Sequence, residues 1–304
     1  MAIIPGYVRA VRRKTPFWEQ RSAEAERLSP VAALVRRHDR DRFQTVLFAP
    51  VARREALFAL YAFNFEIARV RERVREETLG RIRLQWWREM IVAAFEGGPT
   101  RHHIVAEPLT TLIRENRLTR AHLDRLIDAR GSDLDDEAPA TLAALEDYAE
   151  GSSARLVYLA LEILGVPDPA ARRAAFHVGI AYALAGLLRA MPHLARAGQR
   201  LIPAEIAAQT GLDDADYQAL RATPALRAAT AELAAAASRH LASARLHRAR
   251  TARPALPALL PATIAARSLA RLEQGGFNPY DPKLASPDPL QSWRLAAAML
   301  LKRF

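Results

Sequence analysis

Apolar residues recur at roughly three- and four-residue intervals along most of this chain, the period of an amphipathic helix rather than a strand. The pattern predicts a short helix over residues 30–35 and a long one over 51–75, opened by Pro50 where a missing N–H costs little. Another runs over 79–95 and stops at Gly97-Gly98. Helices are also expected over 107–116, 119–128 and 140–149. Gly151-Ser152-Ser153 reads as a small-residue interruption before the pattern resumes over 154–164. Pro167 and Pro169 separate that segment from 170–191. An alanine-rich helix is expected over 224–250, a connector at Pro254, Pro257 and Pro261, and a closing helix over 290–304. There is no internal repeat and no linker-like stretch. The expected organisation is a basic tail over 1–20 followed by one all-α helical domain over 21–304.

Composition strengthens the helical reading. Half of the 304 residues are hydrophobic, enough for a large core, and glycine numbers only 13. Alternating β-branched runs are nearly absent. With no cysteine, disulfides, thiolate metal sites and cysteine nucleophiles are excluded.

The net charge is +11, and only Lys14, Lys283 and Lys302 are lysines. Such an arginine excess fits compositional bias together with weak attraction to an anionic membrane surface. No nucleic-acid-binding motif accompanies it. The tail carries Arg9, Arg12, Arg13 and Lys14 without an apolar core, unlike a secretory signal. The longest uncharged apolar run, 174–188, falls short of the roughly 20 residues of a spanning helix. A soluble or peripheral protein is expected.

Two segments carry a family resemblance. The first holds Tyr61-Ala62-Phe63 and then Gln85-Trp86-Trp87-Arg88; the second holds Gly179-Ile180-Ala181, Leu187-Leu188-Arg189, Gly198 and Ile202-Pro203, with Leu145, Glu146 and Tyr148 between. In this order and spacing they resemble the squalene/phytoene synthase superfamily over roughly residues 41–274. The resemblance implies an isoprenoid-synthase-like helical bundle around a central cavity. It also implies a chemistry, the head-to-head joining of two allylic diphosphates. Magnesium there neutralises the departing diphosphate, held by aspartates one helical turn apart on facing helices.

Those aspartates are missing. In the first motif they would fall at Ala68, Arg69 and Glu72, and only Glu72 is a carboxylate. Tyr61, Phe65, Ala68 and Glu72 are expected on one helical face. Glu66 lies about 200° round from Ala68 and cannot substitute. In the second motif the aspartates would fall at Ala190 and Leu194, and Pro192 between them is expected to break or kink the helix. The amides usual one and two turns earlier are replaced by Ala183 and Gly186. Arg69 and Arg189 could still hold an anionic head group, or make structural ion pairs.

Within the superfamily, one branch resembles this pattern of loss, the mitochondrial complex I assembly factor and its bacterial relatives. Similar stretches are Ala62-Phe63-Asn64, Glu77-Thr78-Leu79-Gly80, Asp133-Leu134-Asp135-Asp136, Leu161-Glu162-Ile163-Leu164-Gly165 and Gln291-Ser292-Trp293-Arg294. The resemblance implies a non-catalytic role in assembling respiratory NADH:quinone oxidoreductase, with its subunits or assembly intermediates as partners. A cytoplasmic or matrix location follows, peripheral at the inner membrane.

Other constellations read more plainly. The acidic run 133–137 suits a polar loop capping the helix near Ala140 better than a metal site. His102-His103 and the His240/His247 pair lack good ligand spacing, and a solvated helix face is the expectation. At least one of Trp86 and Trp87 belongs to the core. No acid or histidine is placed to activate Ser152 or Ser153.

The expectation is therefore a pseudoenzyme with no metal or cofactor. Its residual cavity is lined by Tyr61, Phe65, Ala68, Glu72, Trp87, Tyr148, Ser152, Ala183, Gly186, Arg189 and Ala190, with room for an isoprenoid or quinone-like lipid. The alternatives are a working prenyltransferase with unusual magnesium ligation and a lipid carrier without an assembly role.

Overall fold

The computed structural model describes residues 28–74, 76–115, 118–135 and 137–304; the basic tail expected over 1–20 lies outside them. Among the described residues every regular element is helical. The N-terminal part comprises α1 (Pro30–His38), α2 (Arg40–Val46), α3 (Val51–Ala68), α4 (Val70–Arg73) and α5 (Glu77–Phe95). Then come α6 (Ala106–Glu115), α7 (Arg120–Gly131), α8 (Leu142–Ala149), α9 (Arg155–Ile163) and α10 (Pro169–Arg196). The rest of the chain forms α11 (Ala204–Thr210), α12 (Asp214–Gln218), α13 (Pro224–Leu246), α14 (Leu256–Leu259), α15 (Pro261–Gln274), α16 (Pro282–Ala285) and α17 (Gln291–Leu300).

α10 is the central helix because its small and apolar residues occupy most of its circumference. Ala174, Val178, Ala181, Ala185 and Leu188 are buried, as are Ile180, Leu184 and Met191. It packs against α13, α15, α9 and the turn that follows α8. At that turn a Cβ on Gly179 would stand 2.3 Å from the Cα of Ala154, so only glycine lets the two backbones meet. Among the described residues α10 alone is long and apolar enough to cross a bilayer, and here it forms the core.

Several sequence expectations need correction. The helix expected over 51–75 ends at Ala68. Arg69 (φ −91°, ψ 3°) interrupts it, one further turn forms, and Val74 is extended. The physical cause is the charge-rich stretch that follows, in which Val70 is the only residue of α4 buried. Gly151-Ser152-Ser153 is no interruption. Residues 150–154 form a π-helical turn that joins α8 to α9, so helical backbone runs from 142 to 163. Pro192 does not break α10, which continues to Arg196. The ring removes one backbone donor, yet burial of Leu188, Met191 and Ala195 on either side holds the helix together.

Pro257 and Pro261 do not mark an irregular connector; each sits in the first turn of a helix, where proline is tolerated. α2, α11, α12 and α15 are elements that the sequence pattern leaves unassigned. The acidic run does not cap α8. The hydroxyl of Thr141 accepts from the Ala144 N–H at 3.1 Å, and Glu205 accepts from the Leu142 N–H at 2.6 Å. Asp133 and Asp135 are paired with Arg130 and Arg81 instead, and Asp136 lies outside the described residues.

Candidate functional site

A polar layer lies deep between α2, α3, α7, α8 and α10. Asp39 caps α2, accepting from the Arg42 N–H at 3.1 Å, and its carboxylate pairs with the Arg42 guanidinium at 2.7 Å. That guanidinium lies 4.9 Å from the ring centre of Tyr182 and 5.7 Å from that of Tyr61. Burial pushes the Tyr61 phenol up to about 12, with Arg42 pulling against it. Burial also raises Tyr182 well above the usual phenol range, helped by Asp41. Arg130 supplies the other half of the layer. It pairs with Asp133 at 3.2 Å and donates to the Tyr148 hydroxyl at 2.6 Å. The side chains of Arg42 and Arg130 keep 13 % and 15 % of their surface, so this layer is enclosed without being sealed.

Arg189 has its own counter-ion. Its guanidinium donates to Asp41 at 3.0 Å, and Tyr182 and Gln291 donate to the same carboxylate at 3.4 and 2.8 Å. This knot forms part of the wall of a cavity of about 270 Å³, which Arg267, Arg271 and Asp288 also line.

The structure places the predicted residues in five settings. Tyr61, Tyr148 and Arg189 belong to the polar layer, and Ser152, buried in the π-turn, bonds to Tyr148. Ala183, Gly186 and Ala190 are half-buried along one side of α10, and a Cβ on Gly186 would meet nothing within 4 Å, so it borders open space. Phe65 stacks on His38 at 4.4 Å, with the Arg69 guanidinium 4.8 Å from its ring, and Ala68 is half-buried at the end of α3.

Trp87 is packed elsewhere, edge-on to Phe63 at 5.3 Å and to His103 at 5.4 Å. Glu72 does not continue the Tyr61 face, because α3 has already ended; it is exposed and 3.5 Å from Arg69. Glu66 is buried and held by Arg73 at 2.7 Å.

Sequence reasoning missed Asp39, Asp41, Arg42, Arg130 and Tyr182. The signal available was the charge-alternating stretch Asp39 to Arg42 ahead of an aromatic, in a segment not recognised as helix. It also misplaced His240. His240 is half-buried, with its Nδ1 2.9 Å from that of His177 and its Nε2 3.3 Å from Glu146. Burial and the two histidines nearby, His240 and His247, pull His177 down to about 4. His103 accepts from the Val105 and Ala106 N–H groups and so caps α6.

The family model for squalene/phytoene synthase matches residues 35–296. The chain belongs to the squalene/phytoene synthase family. It is 33 % identical over 268 residues to the NADH dehydrogenase (ubiquinone) complex I, assembly factor 6 of Rattus norvegicus, covering 86 % of this chain and 80 % of that protein. Presqualene diphosphate synthase of Rhodopseudomonas palustris is 28 % identical over 64 % of this chain and 69 % of its own. Among solved structures, squalene synthase HpnC from Alicyclobacillus acidocaldarius superposes with a TM-score of 0.73 at 22 % identity, over 88 % of this chain and 98 % of that one. The fold is thus the helical isoprenoid-synthase bundle of the squalene/phytoene synthase family.

The magnesium that this family's condensation needs finds no fitting donor set here. A divalent cation of this kind wants several oxygen ligands. Nearby carboxylates are engaged: Asp39 with Arg42, Asp41 with Arg189, Asp133 with Arg130 and Glu66 with Arg73. Among the described residues no three His, Asp or Glu side chains converge as a metal site would require.

Proposed function

We propose that this chain is a non-catalytic member of the squalene/phytoene synthase family that assists assembly of respiratory NADH:quinone oxidoreductase. Its partners on this reading are complex I subunits or assembly intermediates. The protein acts from the cytoplasm or the matrix, peripherally at the inner membrane. The open space beside Gly186 would take the apolar chain of an isoprenoid or quinone-like lipid rather than a diphosphate undergoing ionisation.

One observation carries the reading. Where the family's metal-holding aspartates would stand, this chain has Ala68, Arg69, Ala190 and Leu194, the one surviving carboxylate, Glu72, is exposed and beside Arg69, and the arginines of the layer are already answered by internal carboxylates. Such a set of side chains suits an apolar chain and offers little uncompensated charge to stabilise a departing diphosphate. The likeness to a complex I assembly factor across 86 % of this chain supports the same reading.

Deleting the gene in its host and following NADH:quinone oxidoreductase by native gel and activity tests the assembly role. Accumulated subcomplexes and lost activity are expected; a fully assembled, active enzyme would overturn the proposal. Purified protein given magnesium and farnesyl or geranylgeranyl diphosphate is expected to release no diphosphate above a protein-free control. Metal-dependent release would favour the prenyltransferase alternative.

A further inference from the structure

α17 is seated by one side only. Leu295 and Ala298 are buried against Leu260 and Ile264, with Phe48 and Met299 packed around them. On the outward side Trp293, Leu300 and Leu301 are 76 %, 75 % and 57 % exposed. Trp293, Ala297 and Leu300 follow one another at helical spacing, so they form a stripe, and the exposed Leu290 precedes it. The chain then turns back. Lys302 takes a positive φ of 53°, the Arg303 N–H reaches the Ala298 carbonyl at 2.8 Å, and Phe304 is buried. That return fixes the helix with its apolar stripe facing out.

The corner between α2 and α3 extends the surface. Gln44 donates to Ser292 at 3.1 Å, and Phe48 packs against the inner side of α17; Leu47 and Val51, on either side of Phe48 in the chain, are exposed. Single exposed apolar residues are ordinary, but several large ones gathered on adjoining elements mark an interaction surface.

Charge selects the occupant. Residues 289–304 contain Arg294, Lys302 and Arg303 and no acid. Arg54 lies beside Leu47, donating to its carbonyl at 2.8 Å, and the first acid on that side of α3 is Glu55, one turn past Val51. Asp288, next to α17, is almost buried and shared by Arg267, Arg271 and Arg294 at 3.5, 3.8 and 3.2 Å. A second copy of the chain, or its own tail with Arg9, Arg12, Arg13 and Lys14, would bring positive charge against positive charge. A helix with tryptophan and leucine outward and cations at its edge matches the interface of an anionic bilayer.

We propose that this face docks the protein on an anionic lipid surface. Trp293, Leu300 and Leu301 enter the headgroup–acyl boundary, and Arg54, Lys302 and Arg303 meet lipid phosphates. The inference rests on the peripheral-membrane part of the proposed function and supplies its surface.

Cosedimentation of the full chain with phosphatidylcholine vesicles, with and without phosphatidylglycerol, tests it. The wild type is expected to bind the phosphatidylglycerol vesicles preferentially. Trp293→Ser/Leu300→Ser/Leu301→Ser keeps every charge and is expected to bind about tenfold less tightly or worse. Lys302→Gln/Arg303→Gln should lose much of the lipid preference while keeping the apolar stripe. These side chains are exposed or at the rim, so unchanged thermal unfolding is the control for folding. Equal binding by wild type and the serine variant would overturn this face yet leave the peripheral reading standing, with binding through another surface. No binding by the wild type to either vesicle would overturn both.

Discussion

At the scale of single residues, Asp41 ties together the most distant parts of the candidate site. Arg189, Tyr182 and Gln291 all donate to it, and the bond to Arg189 joins positions 148 apart in the chain. Asp41→Ala leaves a half-buried guanidinium without its counter-ion, and a loss of about 2 kcal/mol in urea unfolding is expected. Gly179→Ala drives a methyl group into the Ala154 backbone at 2.3 Å. The helices must part, and destabilisation of about 2 kcal/mol or more should appear in the same measurement. His122 and His177 give the pH dependence. Burial comes first in pulling each from 6.5 to about 4, reinforced by Arg155 and Arg172 for His122 and by His240 and His247 for His177. The unfolded chain takes up protons before the folded one does. Stability is therefore expected to be fully present above pH 6.5 and to fall as pH drops toward 4. His177→Gln should make that fall shallower in denaturant midpoints measured across the range.

At the scale of elements, α10 shows what a pattern reads and where it misleads. Its helical character is legible because periodicity is a local property. The effect of Pro192 is not, because a proline's cost is weighed against the burial of the turns around it. Pro192→Ala restores the missing backbone donor, and a gain of about 1 kcal/mol is expected from thermal unfolding, reduced by the greater freedom of the unfolded chain. Pro257 and Pro261 make the complementary point, since a proline that ends one segment also suits the first turn of the next. Spacing along one helix puts Ala183, Gly186 and Ala190 on one side of α10, and the ordered landmarks point to Tyr61, Tyr148 and Arg189. The polar layer pairs Arg42 with Tyr182 and Arg130 with Tyr148, and no short-range pattern encodes such meetings.

At the scale of the whole molecule, the all-helical class is readable from alanine, leucine and few strand formers, and the isoprenoid-synthase architecture from ordered landmarks. Which side faces a partner is not, because burial of one stripe of α17 and exposure of the other depends on where Phe48 and Leu260 come to lie. The π-turn at residues 150–154 has a consequence at this scale too. It holds one residue more than an α-helix would need, so α8 and α9 are out of phase by about 100°. Removing Ser153 alone would leave a regular helix by every local criterion. It would also swing Leu156, Leu159 and Ile163, all buried now, toward water. A one-residue deletion in the middle of a helix should therefore cost this protein more than most point substitutions, and relatives lacking that residue would have to re-choose the whole inner stripe of α9.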